Sequence, residues 1–182
     1  VPANDELRAG ETLNVDATCF ARKSYPATSM NNIAAACGTS KARLYHYCES
    51  KEAGLFDLLG RCTQKRLGII GQVEAAAQRR ALDERASLHE LIRAFLREYE
   101  TSATRHAALL GATQFLGEEP RELILDRQRD VVSAVTRFLR RAYPERLDAR
   151  NQTAITMTLF GMINWTFTWL RPGGAMSYAA FA

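Results

Sequence analysis

Apolar residues recur every three to four positions along nearly the whole chain and rarely alternate with polar ones. That period belongs to helices with one buried face; the period of two that marks strands is missing, and β-branched runs are few. Leu13, Ala17 and Phe20 mark a first helix over 7–23. "SYPAT" stops it, because Pro26 disfavours helical dihedrals at Tyr25 and has no N–H to donate. Ser29 then caps a short helix over 30–37 that Gly38 ends, Ser40 caps another reaching 47, and Ser50 caps a long one over 51–77. Leu55, Leu58, Leu59, Cys62, Ile69, Ile70 and Val73 give the long helix its apolar face. Gly54, Gly60, Gly68 and Gly71 interrupt it at a cost of roughly 0.5–1 kcal/mol each; they serve a bend or a close contact, or are simply tolerated. Further helices are expected over 88–101 and 104–116, over 121–143 after the break "GEEP", and over 149–170 between "YPER" and "RPGG". The stretch "EAAAQRRALDERAS" at 74–87 reads as a polar loop. The pattern therefore predicts an all-α protein: a three-helix unit over residues 1–50 and a larger helical bundle over 51–182.

Composition changes this picture little. Hydrophobic residues make up 47% and charged residues 24% of 182, the mix of an ordinary globular protein with one or two cores. No apolar run approaches the roughly 18 residues that span a bilayer. The opening "VPANDELRAG" has neither a basic start nor an apolar stretch, so no signal peptide and no membrane are expected, and a cytoplasmic location is. A first residue that is not Met suggests trimmed ends. Cys19, Cys37, Cys48 and Cys62 form no C-x-x-C pair and stand near no histidine at ligand spacing; free thiols, no metal and no cofactor are expected. His46, His89 and His106 are isolated, and no Ser-His-Asp, Cys-His or paired-carboxylate arrangement appears. An enzyme is therefore not expected.

Charge is informative only where it gathers. The net charge is +4, from twenty arginines and four lysines against twenty acids, yet residues 1–60 hold six basic and seven acidic side chains, a net of −1. Within them, 22–51 carry Arg22, Lys23, Lys41, Arg43 and Lys51 against Glu49 alone, a local +4. Phosphate contact needs such a patch rather than a favourable total. The patch coincides with the two short helices, whose three-residue turn fits helix-turn-helix geometry. Ala34 and Gly38 suit the close crossing and the turn; Ile33, Cys37, Leu44 and Tyr47 can seal the unit. Burying Leu44 leaves Lys41, Ala42, Arg43, Tyr45 and His46 facing outward. The first turn of such a helix reaches base edges in a major groove. Arg43 suits a guanine edge, Lys41 a guanine or a phosphate, and Tyr45 a phosphate. Lys51 opposes the macrodipole at its helix start, which makes sense if a phosphate sits there; Ser29 offers a second such start. A helical adaptor that binds only protein would leave Lys41, Arg43 and Tyr45 without a purpose.

"YPATSMNNIAAACGTSKARLYHYCESKEAGLFDLL" closely resembles the TetR/AcrR family of one-component transcriptional regulators, through T-S, I-A-x-x-x-G, S-K-x-x-L-Y and S-K-E over about residues 11–60. The resemblance implies a homodimer binding a palindromic operator on double-stranded DNA, most often a repressor, with a C-terminal domain that takes a small molecule. It places DNA contacts at Ser29, Asn31, Lys41, Ala42, Arg43, Tyr45, His46 and Lys51. Cys48 departs from the aromatic usual beneath the recognition helix, and Gly54 from a large aliphatic. "LFGMINWTFTWLRPGGAMS" at 159–177 is similar to the branch that responds to acyl-CoA thioesters. There Phe160, Ile163, Phe167 and Leu170 trace one stripe and Met162, Trp165 and Trp169 another, so the helix is expected to be buried on two sides. Dimerisation is expected through 122–142 and 149–170, with Val131, Val135, Phe138, Phe160 and Phe167 in the seam. The effector pocket is expected to be lined by Phe95, Tyr99, Phe115 and Trp165, with Tyr99 and His106 orienting a carbonyl. Residues 61–182 hold eighteen basic and thirteen acidic side chains; Arg105, Arg127 and Arg129 are candidates for CoA phosphates. The expected effector is a small hydrophobic molecule, an acyl- or aryl-CoA, with an uncharged aromatic or lipid as the alternative.

Overall fold

A computed structural model describes residues 25–170 and 173–181, and at 47, 101, 103–108 and 167 the backbone only. The helix expected over 7–23, Cys19, Arg22 and Lys23, and the side chains of Tyr47, Arg105, His106 and Phe167, lie outside this description. Every regular element among the described residues is helical.

Three serines open three successive helices. Ser29 begins α1 (Met30–Ala36) with a full capping box: its hydroxyl accepts the Asn32 N–H at 3.2 Å and the Asn32 side chain accepts the Ser29 N–H at 3.0 Å. Gly38, at φ 61°, closes α1; its N–H donates to Ala35 O and the Thr39 N–H to Ala34 O. That paired pattern needs a left-handed residue, which glycine supplies without a Cβ penalty. Ser40 caps α2 (Lys41–Tyr47) by accepting the Arg43 N–H at 3.2 Å. Ser50 caps α3 (Lys51–Arg79) by accepting the Ala53 N–H at 3.0 Å.

The loop expected over 74–87 is mostly helix. α3 runs on to Arg79, and α4 (Glu84–Leu109) begins directly after Asp83, whose carboxylate accepts the Ala86 N–H at 2.7 Å. Only 80–83 turns. Ala81 stands there at φ 49°, with its N–H on Gln78 O and the Leu82 N–H on Ala77 O. This is the closure used at Gly38, built on alanine, so no glycine advertises it in the sequence. The break expected near 102–103 is likewise slight: one non-helical residue, Ser102, inside α4. α4 ends at Leu109 rather than near 116; Gly111 at φ 75° leads into a 3-10 turn, Ala112–Phe115. α5 (Glu118–Ala142) starts three residues before the expected Arg121. Pro120 is no obstacle in a first turn, where its missing N–H would be unpaired anyway, and Glu118 and Glu119 suit the positive end of the dipole. α6 (Gln152–Trp169) and a short α7 (Tyr178–Phe181) follow.

By packing, the described residues form two compact units: 25–62 with 104–125, and 63–103 with 126–170 and 173–181. The first has a core around Ile33, Leu44, Leu55, Leu58, Leu116 and Ile124, each no more than 7% exposed. Fully burying one such side chain contributes about 1.5–3 kcal/mol. The second has a larger core around Leu91, Phe95, Tyr99, Val135, Phe138 and Ile163.

Candidate nucleic-acid interface

Leu44 is 1% exposed in the first core, and this fixes the rotation of α2. Lys41, Ala42, Arg43, Tyr45 and His46 are all exposed. With seven residues in α2, one buried leucine is enough to decide which side chains face out. The Lys41 ammonium lies 5.9 Å from the Tyr45 ring centroid, one turn along the same face. Ile33 and Ala34 anchor α1 beside it at 2% and 4% exposure, while Asn31 points outward. Ser29 is exposed and its oxygen is engaged as a cap. The Cys48 thiol, in the place of the aromatic the resemblance implies, donates to Ser50 O at 2.8 Å.

Lys51 behaves differently from its neighbours on the expected contact surface. Its ammonium donates to the Tyr25 carbonyl at 3.1 Å and lies 4.2 Å from the Tyr25 ring centroid. The Tyr25 ring also stacks on Phe115, centroids 4.9 Å apart at 22°. Burial, with Glu52 and Cys48 nearby, raises the Tyr25 phenol above its ordinary range. Sequence reasoning treated Tyr25 only as the residue before Pro26, and nothing in its spacing announces these contacts.

In the second unit, Phe95 and Tyr99, one turn apart on α4, are both buried. Phe95 lies 6.2 Å from the Phe160 ring. The Tyr99 hydroxyl donates to the Asn164 side-chain oxygen at 2.8 Å, and the Arg66 guanidinium lies 5.9 Å from the Tyr99 ring. Asn164 was missed by sequence reasoning; its one signal there is to be the only amide within "LFGMINWTFTWL". Among the other expected lining residues, the side chain of His106 is not described. Phe115 belongs to the first unit, on Tyr25, and Trp165 is 63% exposed on α6. Of the arginines suggested for phosphates, Arg127 and Arg129 are exposed, and Arg129 pairs with Asp126 one turn earlier.

Four of the residues expected in a dimer seam are buried within this chain, and the side chain of the fifth, Phe167, is not described. Val131, Val135, Phe138 and Phe160, at 4%, 1%, 0% and 8% exposure, are interior to the second unit's own core. The helical period marks these positions as apolar but does not say which of two apolar faces meets the core. α6 presents Met157, Met162, Trp165 and Trp169 outward, each at least 49% exposed, with open space beside Gly161. Among the described residues, no three His, Cys, Asp or Glu side chains gather to hold a metal ion, and no helix is long and apolar enough to cross a membrane.

Comparison with known proteins agrees with this geometry. Residues 16–57 match the family model of bacterial regulatory proteins of the tetR family, and residues 81–182 that of the tetracyclin repressor-like C-terminal domain. A curated relative, the HTH-type transcriptional repressor KstR2 of Rhodococcus jostii (strain RHA1), is 31% identical over 112 residues. That match covers 59% of this chain and about half, 52%, of the relative. A TetR-family transcriptional regulator from Bordetella parapertussis 12822 superposes with a TM-score of 0.86 at 33% identity, covering 95% of this chain and 88% of the other. PfmR of Thermus thermophilus, also of the TetR family, gives 0.76 at 26%, covering 93% and 91%. AibR, solved with isovaleryl coenzyme A and operator DNA, gives 0.79 at 24%, covering 94% and 91%, a likeness of fold. With its N-terminal helices matched by one family model and more than half its length by another, the chain belongs to the TetR family of transcriptional regulators, which are not enzymes.

Proposed function

We propose that this regulator binds a palindromic operator as a homodimer, acts as a repressor, and is released by a small hydrophobic effector carrying a carbonyl, with an acyl- or aryl-CoA the first candidate. The observation that carries the DNA reading is the first turn of α2, where Lys41, Ala42 and Arg43 stand exposed beside a fully buried Leu44. A helix held this way can enter a major groove with its N-terminal side chains on base edges. Arg43 and Lys41 take base edges; Ser29, Asn31, Tyr45 and His46 take the backbone on either side. One such helix reads too few base pairs to be specific, which favours two copies on a symmetric site. The outward apolar stripe of α6, Met157, Met162, Trp165 and Trp169 flanking Gly161, supports a mate helix on that face.

The effector reading rests on Tyr99 and Asn164. A hydroxyl and an amide paired against buried aromatic rings can exchange their mutual bond for bonds to a carbonyl or thioester. The test begins with a duplex selected from a random pool by the protein itself. The complex is then titrated with isovaleryl-CoA, phenylacetyl-CoA and the matching free acids, and release is followed by fluorescence anisotropy. Release by a thioester at lower concentration than by its acid is expected. Release by the acids alone, or by an uncharged aromatic or lipid and by no thioester, would sink the CoA reading.

A further inference from the structure

The first turn of α3 holds two other parts of the first unit. Lys51 reaches the turn that precedes α1: its ammonium donates to the Tyr25 carbonyl at 3.1 Å and lies 4.2 Å from the Tyr25 ring centroid. The same carbonyl accepts the N–H of Thr28, which is 2% exposed and directly precedes the Ser29 cap. Glu52, the next residue, accepts the Gly117 N–H at 2.5 Å at the start of α5. Between these attachments the Phe115 ring stacks on the Tyr25 ring at 4.9 Å. The entry to α1 is therefore tied to the 112–117 segment twice, once ring on ring and once through adjacent residues of α3. Lys51 also needs no phosphate to explain it, because the Tyr25 ring and carbonyl offset the unfavourable position of a cation in a first helical turn.

We propose that Lys51 and Phe115 act on operator binding as positioning residues, through Tyr25, and that docking of the 112–117 segment on Tyr25 sets operator affinity. This rests on the DNA-binding reading of α2. Separating Phe115 from Tyr25 frees the turn that fixes the start of α1, so the two short helices no longer hold one orientation against the groove. Phe115 belongs to neither DNA-reading helix. Its effect on operator affinity therefore reports the clasp and not a contact with DNA.

The test measures binding of the selected duplex across a salt series for wild type, Lys51→Met, Phe115→Leu, the double variant, Phe115→Tyr and Arg43→Ala. Lys51→Met and Phe115→Leu should each weaken binding roughly three- to thirtyfold, the span of one cation–π or stacking contact. The salt slope should stay at the wild-type value, since no phosphate contact is lost. The double variant should bind no more weakly than the weaker single variant, because both changes break one unit. Phe115→Tyr keeps the ring and should bind as wild type. A fall of about 0.9 in slope for Lys51→Met would mark a direct phosphate contact and overturn the proposal. So would wild-type binding by Phe115→Leu, independent effects in the double variant, or loss of binding by Phe115→Tyr. Arg43→Ala reports on the underlying reading separately: unchanged affinity and unchanged sequence preference there would remove the DNA-reading role of α2 itself.

Discussion

Arg43 and Leu44 are neighbours with opposite fates, and the contrast between them carries the DNA reading at the residue scale. Leu44 is 1% exposed and holds α2 on its core; Arg43 is exposed and free to meet a base edge. Arg43→Ala is expected to cost roughly 1–3 kcal/mol of operator binding and to relax preference at one position of each half-site. Binding to the selected duplex and to duplexes altered one base pair at a time checks both effects. Tyr25 gives a second prediction. Its phenol is raised by burial, then by Glu52, then by Cys48. An acid whose folded pKa exceeds its unfolded value binds more protons when folded, so its contribution is complete below the unfolded pKa near 10 and falls as pH rises above it. Urea unfolding at pH 8, 10 and 11 should show wild type losing stability at the alkaline end more steeply than Tyr25→Phe. Parallel curves would remove Tyr25 as the cause. The outward position of Arg43 is legible in the sequence because a single buried leucine sets a short helix's rotation. The contacts of Tyr25, Phe115 and Asn164 are not, because each acquires its role from a partner more than 25 positions away.

At the scale of elements, the helix ends separate what composition announces from what it hides. Ser29, Ser40, Ser50 and Gly38 are the residue types that caps require, and each acts as the cap expected. Ala81 performs the task of Gly38 with a Cβ in the way. Ala81→Gly should therefore stabilise the fold by about 0.5–1 kcal/mol, by removing left-handed strain from the end of α3. Gly68 and Gly71 are the reverse case: both are exposed within α3, and a Cβ on either meets nothing within 4 Å. Neither glycine makes a close helix contact among the described residues, which leaves a bend or simple tolerance. Gly68→Ala and Gly71→Ala should each add about 0.5–1 kcal/mol. Thermal unfolding of all three variants checks the signs, and a fall in melting temperature for any one would contradict the local geometry given for it.

For the whole molecule, two-sided helices decide the architecture. α6 is apolar nearly all round; Ile163 faces the core at 2% exposure while Trp165 stands 63% exposed. An outward stripe of this kind is unfavourable in water unless covered, and the proposed dimer covers it. Met162→Glu with Trp165→Glu should convert the dimer to a monomer by light scattering, leave the helical circular dichroism unchanged, and weaken operator binding. A dimer that persisted would move the seam to another face. Phe160→Glu is no test of the seam, because it buries a charge in the chain's own core and is expected to unfold it.

Helix content, the three serine-capped helix starts and the outward face of α2 follow from the sequence alone, because they rest on a period of 3.6 residues, on capping chemistry and on one hydrophobic position. These are interactions among residues within a turn or two of each other. The sequence is equally clear that the helix ending near 170 has two apolar stripes. It does not say which stripe is interior, since burial depends on what packs against a face, and phenylalanine and methionine satisfy a core and an interface alike. The tertiary structure alone gives Val131, Val135, Phe138 and Phe160 to the core and Trp165 to the surface. It alone sets Lys51 against Tyr25 and Tyr25 against Phe115. Contacts between distant segments depend on the packing of the whole chain and leave no periodic trace in the residues that make them.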